Sequence, residues 1–329
     1  MNVPLQSPAD TLRTALAGLL DGLPPTQATK AVERLIANYR GTTPTDAPIL
    51  RDRADVAAYA AYRMPATFEA VRSALDALDA ASGWAPASHL DIGGGTGAAV
   101  WAARDVWPRE RATTVVDWSQ PALDLGRELA AAEGGLADSV RWDRGRIGTH
   151  DAPEADLVTV SYVLKELTEA DRTSVVDAAA AAATGAVVII EPGTPDGYAR
   201  VIEARDRLIA AGFHVAAPCP HSAACPIVPG TDWCHFSARV ARSSLHRRVK
   251  GGSLAYEDEK FSYVAATRLP VAAAPARIVR KPQIRKGQVL LDLCVAEGGL
   301  VRRTVTKKHG EAYKWARKAE WGQSSPSGD

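Results

Sequence analysis

The chain opens on an apolar repeat of helical period. Leu12, Leu16, Leu19 and Leu23 recur at helix spacing behind Ser7 and Asp10, which stand in a capping-box pattern. Val32, Leu35, Ile36 and Tyr39 repeat the period, with Gly41 as a stop. The stretch RADVAAYAAYRMPATFEAVRSALDALDAA, from Arg53, predicts helix, a break at Pro65, then helix again. Residues 1–82 are expected to form a helical N-terminal region. Strand and helix then alternate. SHLDIGGGTGAAVWAARDVW predicts strand, glycine turn and helix, and RATTVVDWS a second strand, with a helix over QPALDLGRELAAAEG. ADLVTVSYVLKEL and GAVVIIEPGTPDGYARVIEARDRLIAAG each predict a strand leaving into a helix, while FHVAAP and KFSYVAATR read as late strands. This order predicts an α/β domain over residues 83–269, a Rossmann-like doubly wound and mostly parallel sheet. A cysteine-rich insertion, 216–238, falls between the last two strands. From Pro270 the pattern changes to short strands around Gly287 and Gly298–Gly299, followed by a helix in GEAYKWARKAEWG. Residues 270–322 are expected as a small basic, β-rich part, and 323–329 as a disordered tail.

Composition alters this picture at two points. The chain of 329 residues has a formal net charge of only +1. Residues 1–236 hold 20 Lys/Arg against 30 Asp/Glu, whereas residues 237–320 hold 19 against 7. A basic quarter on an acidic body points to a polyanion partner, most plausibly nucleic acid. A hydrophobic share of 46% is ordinary for a globular protein, and no run of some eighteen apolar residues predicts a membrane span. The N-terminus lacks a basic start, apolar middle and cleavage site, so a cytoplasmic protein is the expectation.

The stretch LDIGGGTG carries the first candidate chemistry. A strand delivers Asp91, and Gly93, Gly95 and Gly97 let the backbone turn tightly and approach a ligand. Asp117 ends the next strand, where a carboxylate can accept hydrogen bonds from ribose hydroxyls. A dinucleotide site would need a helix N-terminus cleared for pyrophosphate. Here an acid stands two residues before the first glycine; the loop resembles motif I of class I S-adenosylmethionine-dependent methyltransferases, whose cofactor has no phosphate and tolerates a carboxylate nearby. A glycine turn that only packs helix on sheet is the bland alternative. After the fourth strand, SYVLKEL offers no evident base and no nucleophilic cysteine, so the catalytic residues stay unassigned and cofactor binding is better supported than turnover.

Three of the four cysteines, Cys219, Cys225 and Cys234, lie in the proline-rich stretch PCPHSAACPIVPGTDWCHF, and Cys294 lies far downstream. Four thiolates suit zinc or an iron–sulfur cluster. The spacing lacks the close Cys pair usual for zinc, which favours a larger cube-shaped cluster. His221 and His235 keep a mixed zinc site open, and unliganded cysteines are the third reading.

Several segments then match one family in order: AYAAYRMPAT, LDIGGGTG, SYVLKEL, EPGTPDGY, CPHSAACP, DWCHF and YKWARKAEWG. Over nearly its whole length the chain resembles the methyltransferase-like factors of the mitochondrial small ribosomal subunit and their bacterial relatives. The resemblance implies a class I S-adenosylmethionine-dependent methyltransferase fold and a four-cysteine 4Fe–4S site on Cys219, Cys225, Cys234 and Cys294. It implies a cofactor site lined by Asp91, Gly93, Gly95, Gly97 and Asp117, with Gly94 and Trp118 beside them. It also implies binding to ribosomal RNA of the small subunit during assembly or translation, with or without methyl transfer. The candidate phosphate contacts are Arg277, Arg280, Lys281, Arg285, Lys286, Arg302, Arg303, Lys307 and Lys308.

Overall fold

A computed structural model describes residues 6–19, 29–30, 32–33, 53–145, 152–228, 230–242, 254–272 and 274–326. Helix α1 (Pro8–Gly18) starts where the capping pattern places it, with the Ser7 side chain accepting from the Asp10 amide and Leu12 and Leu16 buried. Leu23 and most of the second expected helix fall outside the described residues. Of that helix, residues 29, 30, 32 and 33 are described and helical.

Helix α2 (Arg53–Ser82) runs unbroken through Pro65. The expected break is corrected by tertiary packing. Val56, Ala60, Met64, Phe68, Val71, Leu75 and Leu78 form one buried stripe that continues across the proline. A proline inside a helix costs about 3 kcal/mol. Burial of several large side chains on both sides of it, at roughly 1.5–3 kcal/mol each, outweighs that loss.

The first sheet contains β1 (Ser88–Ile92), β2 (Ala112–Asp117), β3 (Val140–Arg144), β4 (Ala155–Ser161), β5 (Ala183–Pro192), β6 (His214–Ala217), β7 (Phe236–Ala241) and β8 (Tyr256–Thr267). The order is β3-β2-β1-β4-β5-β8-β6, with β7 also on β8. Strands β1 to β5 pair in parallel, and β8 runs antiparallel to β5. This is the class I methyltransferase topology, an α/β sheet with one reversed strand near its edge. Strand β7 lies within and beyond the end of the expected insertion. Its residues, FSARVA, alternate buried and exposed, a strand signal the sequence reading passed over.

Helices α3 (Ala98–Val106), α4 (Gln120–Ala130), α5 (Gly134–Ser139), α6 (Glu169–Ala182) and α7 (Pro195–Ala210) complete the domain. One apolar core joins α1 to α4 to one face of the sheet. A second joins α6 and α7 to the other. The sheet reverses its winding between β1 and β4, and ligands of such sheets bind at the carboxyl ends of strands at that point.

A second sheet holds β9 (Ala276–Ile278), β10 (Gln283–Arg285), β11 (Gln288–Val295), β12 (Gly299–Thr306) and β13 (Ser324–Ser325). Its turns fall at the glycines that marked them, Gly287 and Gly298, both at positive φ. Helix α8 (Glu311–Ala316) is a short cover for this sheet. The expected disordered tail is ordered in part. Ser324 and Ser325 pair with Arg277 and Ala276 of β9, because that edge offers unpaired backbone groups.

Candidate functional site

The glycine loop leaves β1 at the reversal point. Gly97, at φ 82°, caps α3, and a Cβ there would meet the Trp142 ring at 2.7 Å. A Cβ on Gly94 would meet Asp91 Oδ2 at 2.3 Å. The loop is thus a backbone cradle that side chains would fill. Asp91 is fully buried, and its Oδ1 accepts from Thr159 Oγ1 at 2.7 Å, whose oxygen also stands 2.7 Å from His89 Nε2. Asp91 Oδ2 has no partner. Burial, and secondarily the charge of Asp117, pushes the Asp91 carboxyl up to about 7, while burial beside Arg111 takes His89 down to about 3. Asp117 accepts from the amides of Gly95 (2.9 Å) and Ser119 (2.8 Å), so it braces the loop from the end of β2. Trp118 follows it and is 43% exposed. The structure therefore gathers the seven candidate cofactor residues at one strand edge. An orphaned buried carboxylate oxygen and a cradle closed to side chains fit a small polar cofactor.

The segment after β4 holds residues that sequence reasoning missed. Tyr162 is the one non-glycine at positive φ among the described residues (φ 60°). Its hydroxyl donates to Glu259 Oε1 at 3.0 Å, and Arg63 of α2 donates to both oxygens of that carboxylate, at 3.0 and 3.4 Å. The next residue of α2, Met64, accepts from Thr96 of the glycine loop at 3.3 Å. Glu191, one residue before the end of β5, is fully buried, accepts from the Leu164 amide at 3.0 Å and pairs with Arg200 at 2.7 Å. These contacts clamp the turn next to the cradle. Left-handed backbone at a tyrosine was the signal, and only coordinates carry it.

The four cysteines converge. Cys219, Cys225, Cys234 and Cys294 line one cavity with Tyr198, Arg205, Ile227, Phe236, Tyr263 and Leu300. None forms a disulfide. Three come from the loop between β6 and β7, and Cys294 from β11 of the other sheet. Burial pushes the thiols of Cys219 and Cys234 up, and that of Cys294 up to about 12. Among the described residues no group of three or more His, Cys, Asp or Glu is disposed to hold a single metal ion. His221 Nε2 stands 3.4 Å from Cys294 Sγ. His235 lies between Trp233 and Trp321, at ring distances of 5.3 and 5.0 Å.

Two of the nine candidate phosphate contacts are corrected. Arg277 is buried at 6% exposure. It donates to the carbonyls of Pro218 and Gly322, because it joins the cysteine loop to the chain's last turn. Arg280 is committed to Asp232 and the Trp233 carbonyl. Arg302 is exposed but pairs with Asp292 across the β11–β12 ladder. Arg303 is half-buried, and Lys281 is exposed. Arg285, Lys286, Lys307 and Lys308 are exposed and share one end of the second sheet, where the Lys307 amide donates to the Gly287 carbonyl at 3.1 Å.

Fold and cradle together define a methyltransferase-like protein whose second sheet meets a cysteine-lined junction. Residues 53–326 match the sequence profile of the family described as mitochondrial small ribosomal subunit Rsm22, and the chain belongs to that family. It is 29% identical over 294 residues to the human ribosome assembly protein METTL17, mitochondrial, covering 82% of this chain and 62% of that one. It is 27% identical over 184 residues to the Rsm22-cox11 tandem protein 2, mitochondrial, of Schizosaccharomyces pombe, covering 43% of this chain and 24% of that one. The chain thus spans less than two thirds of the length of these relatives. Among solved structures, an O-methyltransferase family protein from Burkholderia thailandensis is 14% identical, with a TM-score of 0.45, over 73% of this chain and 68% of that one. The cytoplasmic expectation is corrected by these matches: the family and both curated relatives are described as mitochondrial. That expectation rested on the lack of a targeting pattern, and the lack of a pattern carries no information about compartment. No described helix is long and apolar enough to cross a membrane.

Proposed function

We propose that the chain is an assembly factor of the small ribosomal subunit. On this reading it binds S-adenosylmethionine on the glycine loop, holds a 4Fe–4S cluster on its four cysteines, and contacts ribosomal RNA with the basic end of its second sheet. The observation that carries the reading is the convergence of four free thiols, from two separate sheets, on one cavity. Four cysteine thiolates are the usual donor set of such a cluster. Around one zinc ion, bonds of ~2.3 Å would hold the sulfurs within about 4 Å of each other. Among the described residues no such single-ion group forms, so four thiolates that would each hold one iron are the better match. When bound, the cluster supplies the positive charge that lets four thiolates be buried together. Asp91 and Asp117 would hold the amino-acid and ribose ends of the cofactor.

The turn after β4 favours a binding platform over an enzyme. The Tyr162 hydroxyl is committed to Glu259, and Glu259 is neutralised by Arg63, so no free base faces the cradle from this trio. An RNA methyltransferase is the second reading, favoured by the methyltransferase strand order of the first sheet. Anaerobically purified protein with a broad band near about 400 nm and roughly four irons per chain is expected. One zinc and no such band would defeat the cluster. Labelled cofactor that binds without passing its methyl to small-subunit particles is expected for the platform, and transfer would replace it with the enzyme.

A further inference from the structure

Three buried side chains address three of the four sulfurs, and they stand on or beside one helix. Tyr198, one turn into α7 and 5% exposed, places its hydroxyl 3.1 Å from Cys225 Sγ. Arg205, two turns further along and 1% exposed, donates to the carbonyls of His221 (3.2 Å) and Ala223 (2.6 Å) and stands beside Cys219. It therefore shapes the loop that carries two of the cysteines and, although Asp206 pairs with its other side at 2.8 Å, keeps a guanidinium against the cavity wall. His221, 9% exposed, approaches Cys294 through Nε2, while its Nδ1 has no partner. A thiolate can only accept, so the tautomer that satisfies this ring carries its proton on Nε2. The remaining walls include Ile227, Phe236 and Leu300, which add no donors, together with Ser262, whose hydroxyl donates to the Cys234 carbonyl, and Tyr263.

From this arrangement we infer that Tyr198 and His221 are hydrogen-bond donors to the metal-bound sulfurs, and that with Arg205 they hold the reduction potential of the site up. The inference rests on the cluster reading above and deepens it. The physics is electrostatic. An electron added at the site raises the negative charge on its sulfurs, and no bond is made or broken. Donors and a cation aimed at those sulfurs stabilise the more negative state, so reduction becomes easier; hydrogen bonds to the sulfurs and local charge are among the factors that set such potentials. A purely structural staple would need the thiols alone. Here a phenol, an imidazole and a guanidinium are each buried against a sulfur, at a desolvation cost that apolar residues of similar size would avoid.

The test is an anaerobic redox titration of the full chain with dithionite, followed by electron paramagnetic resonance. Wild type is compared with Tyr198→Phe and His221→Leu. Both variants should keep the iron content and visible band of the wild type and shift the midpoint to lower potential, and the double variant should shift it further. His221→Asn, which restores an N–H donor, should recover part of the shift. Unmoved midpoints with iron retained would overturn the inference and leave the cluster standing. A wild-type chain without iron would instead remove the cluster reading itself. His221→Leu repeats the test on a second sulfur, so a Tyr198→Phe chain that sheds its iron still leaves the question decided.

Discussion

Asp91 shows how one residue sets the cost of a site. Its folded value of about 7 lies above its ordinary 3.8. Between those values the native state holds a proton that the unfolded chain has released. Stability therefore falls as pH rises through that window, and the loss is complete above it. Asp91→Asn is expected to melt higher than the parent at pH 8, by an amount on the order of 3 kcal/mol, and about equally at pH 4. The same variant should lose S-adenosylmethionine binding by calorimetry. Cofactor affinity of the parent should weaken as pH falls below about 7, because the carboxylate that would hold the cofactor's amino-acid end is then protonated; His89 is already neutral there, and Asp117, itself pushed up by burial, acts in the same direction at lower pH. Arg277 makes the opposite case. Arg277→Ala strands two carbonyls, each worth about 1–3 kcal/mol. It should lower the melting temperature while RNA affinity, measured at a permissive temperature, stays near that of the parent.

At the scale of elements, β11 joins the two proposed sites. Its first residue, Gln288, pairs with Thr306 beside Lys307 and Lys308, and Cys294 lies near its other end, ~20 Å away at the rise of an extended strand. Substitutions at the two ends should therefore separate. Lys307→Glu with Lys308→Glu should weaken binding to small-subunit RNA by filter assay and flatten its dependence on salt by roughly one unit of slope per lost contact. Metal content should not change. Cys294→Ser should do the reverse at the first measurement, losing metal with the basic end intact. Helix α7 has a similar double duty, since Arg200 clamps Glu191 behind the cradle and Tyr198 and Arg205 face the cysteines.

Across the whole molecule, the cysteine cavity is a seam between two sheets. Arg277 bonds, the Trp321–His235 contact and the Trp321–Phe236 contact lie along it. Removing the metal under chelation should loosen residues 270–326 ahead of the first sheet. Limited proteolysis of the chelated chain is expected to yield a fragment ending near residue 270, and the same treatment of the metal-loaded chain should leave it whole. Equal resistance in both states would assign the seam to its Arg277 bonds and aromatic contacts.

Much of this protein was legible along the chain. The periods of 3.6 and 2 placed most strands and helices of the first sheet, though not β3, α5 or β7, because burial on one face is written locally in residue spacing. The glycines of LDIGGGTG and the glycines of the second sheet marked their turns, because positive φ admits few other residues. The family motifs pointed to the four cysteines as a set. Other features belong only to the folded chain. Pro65 sits inside a continuous helix, because a stripe of distant side chains repays its missing hydrogen bond. Arg63, Tyr162 and Glu259 form one trio although 97 and 196 residues separate their pairs. Arg277 reads as a phosphate contact in sequence and is a buried strut in space. Spacing encodes which face of an element is apolar. Which charges find partners, and which remain free for a ligand, is decided only when sheets and helices pack against one another.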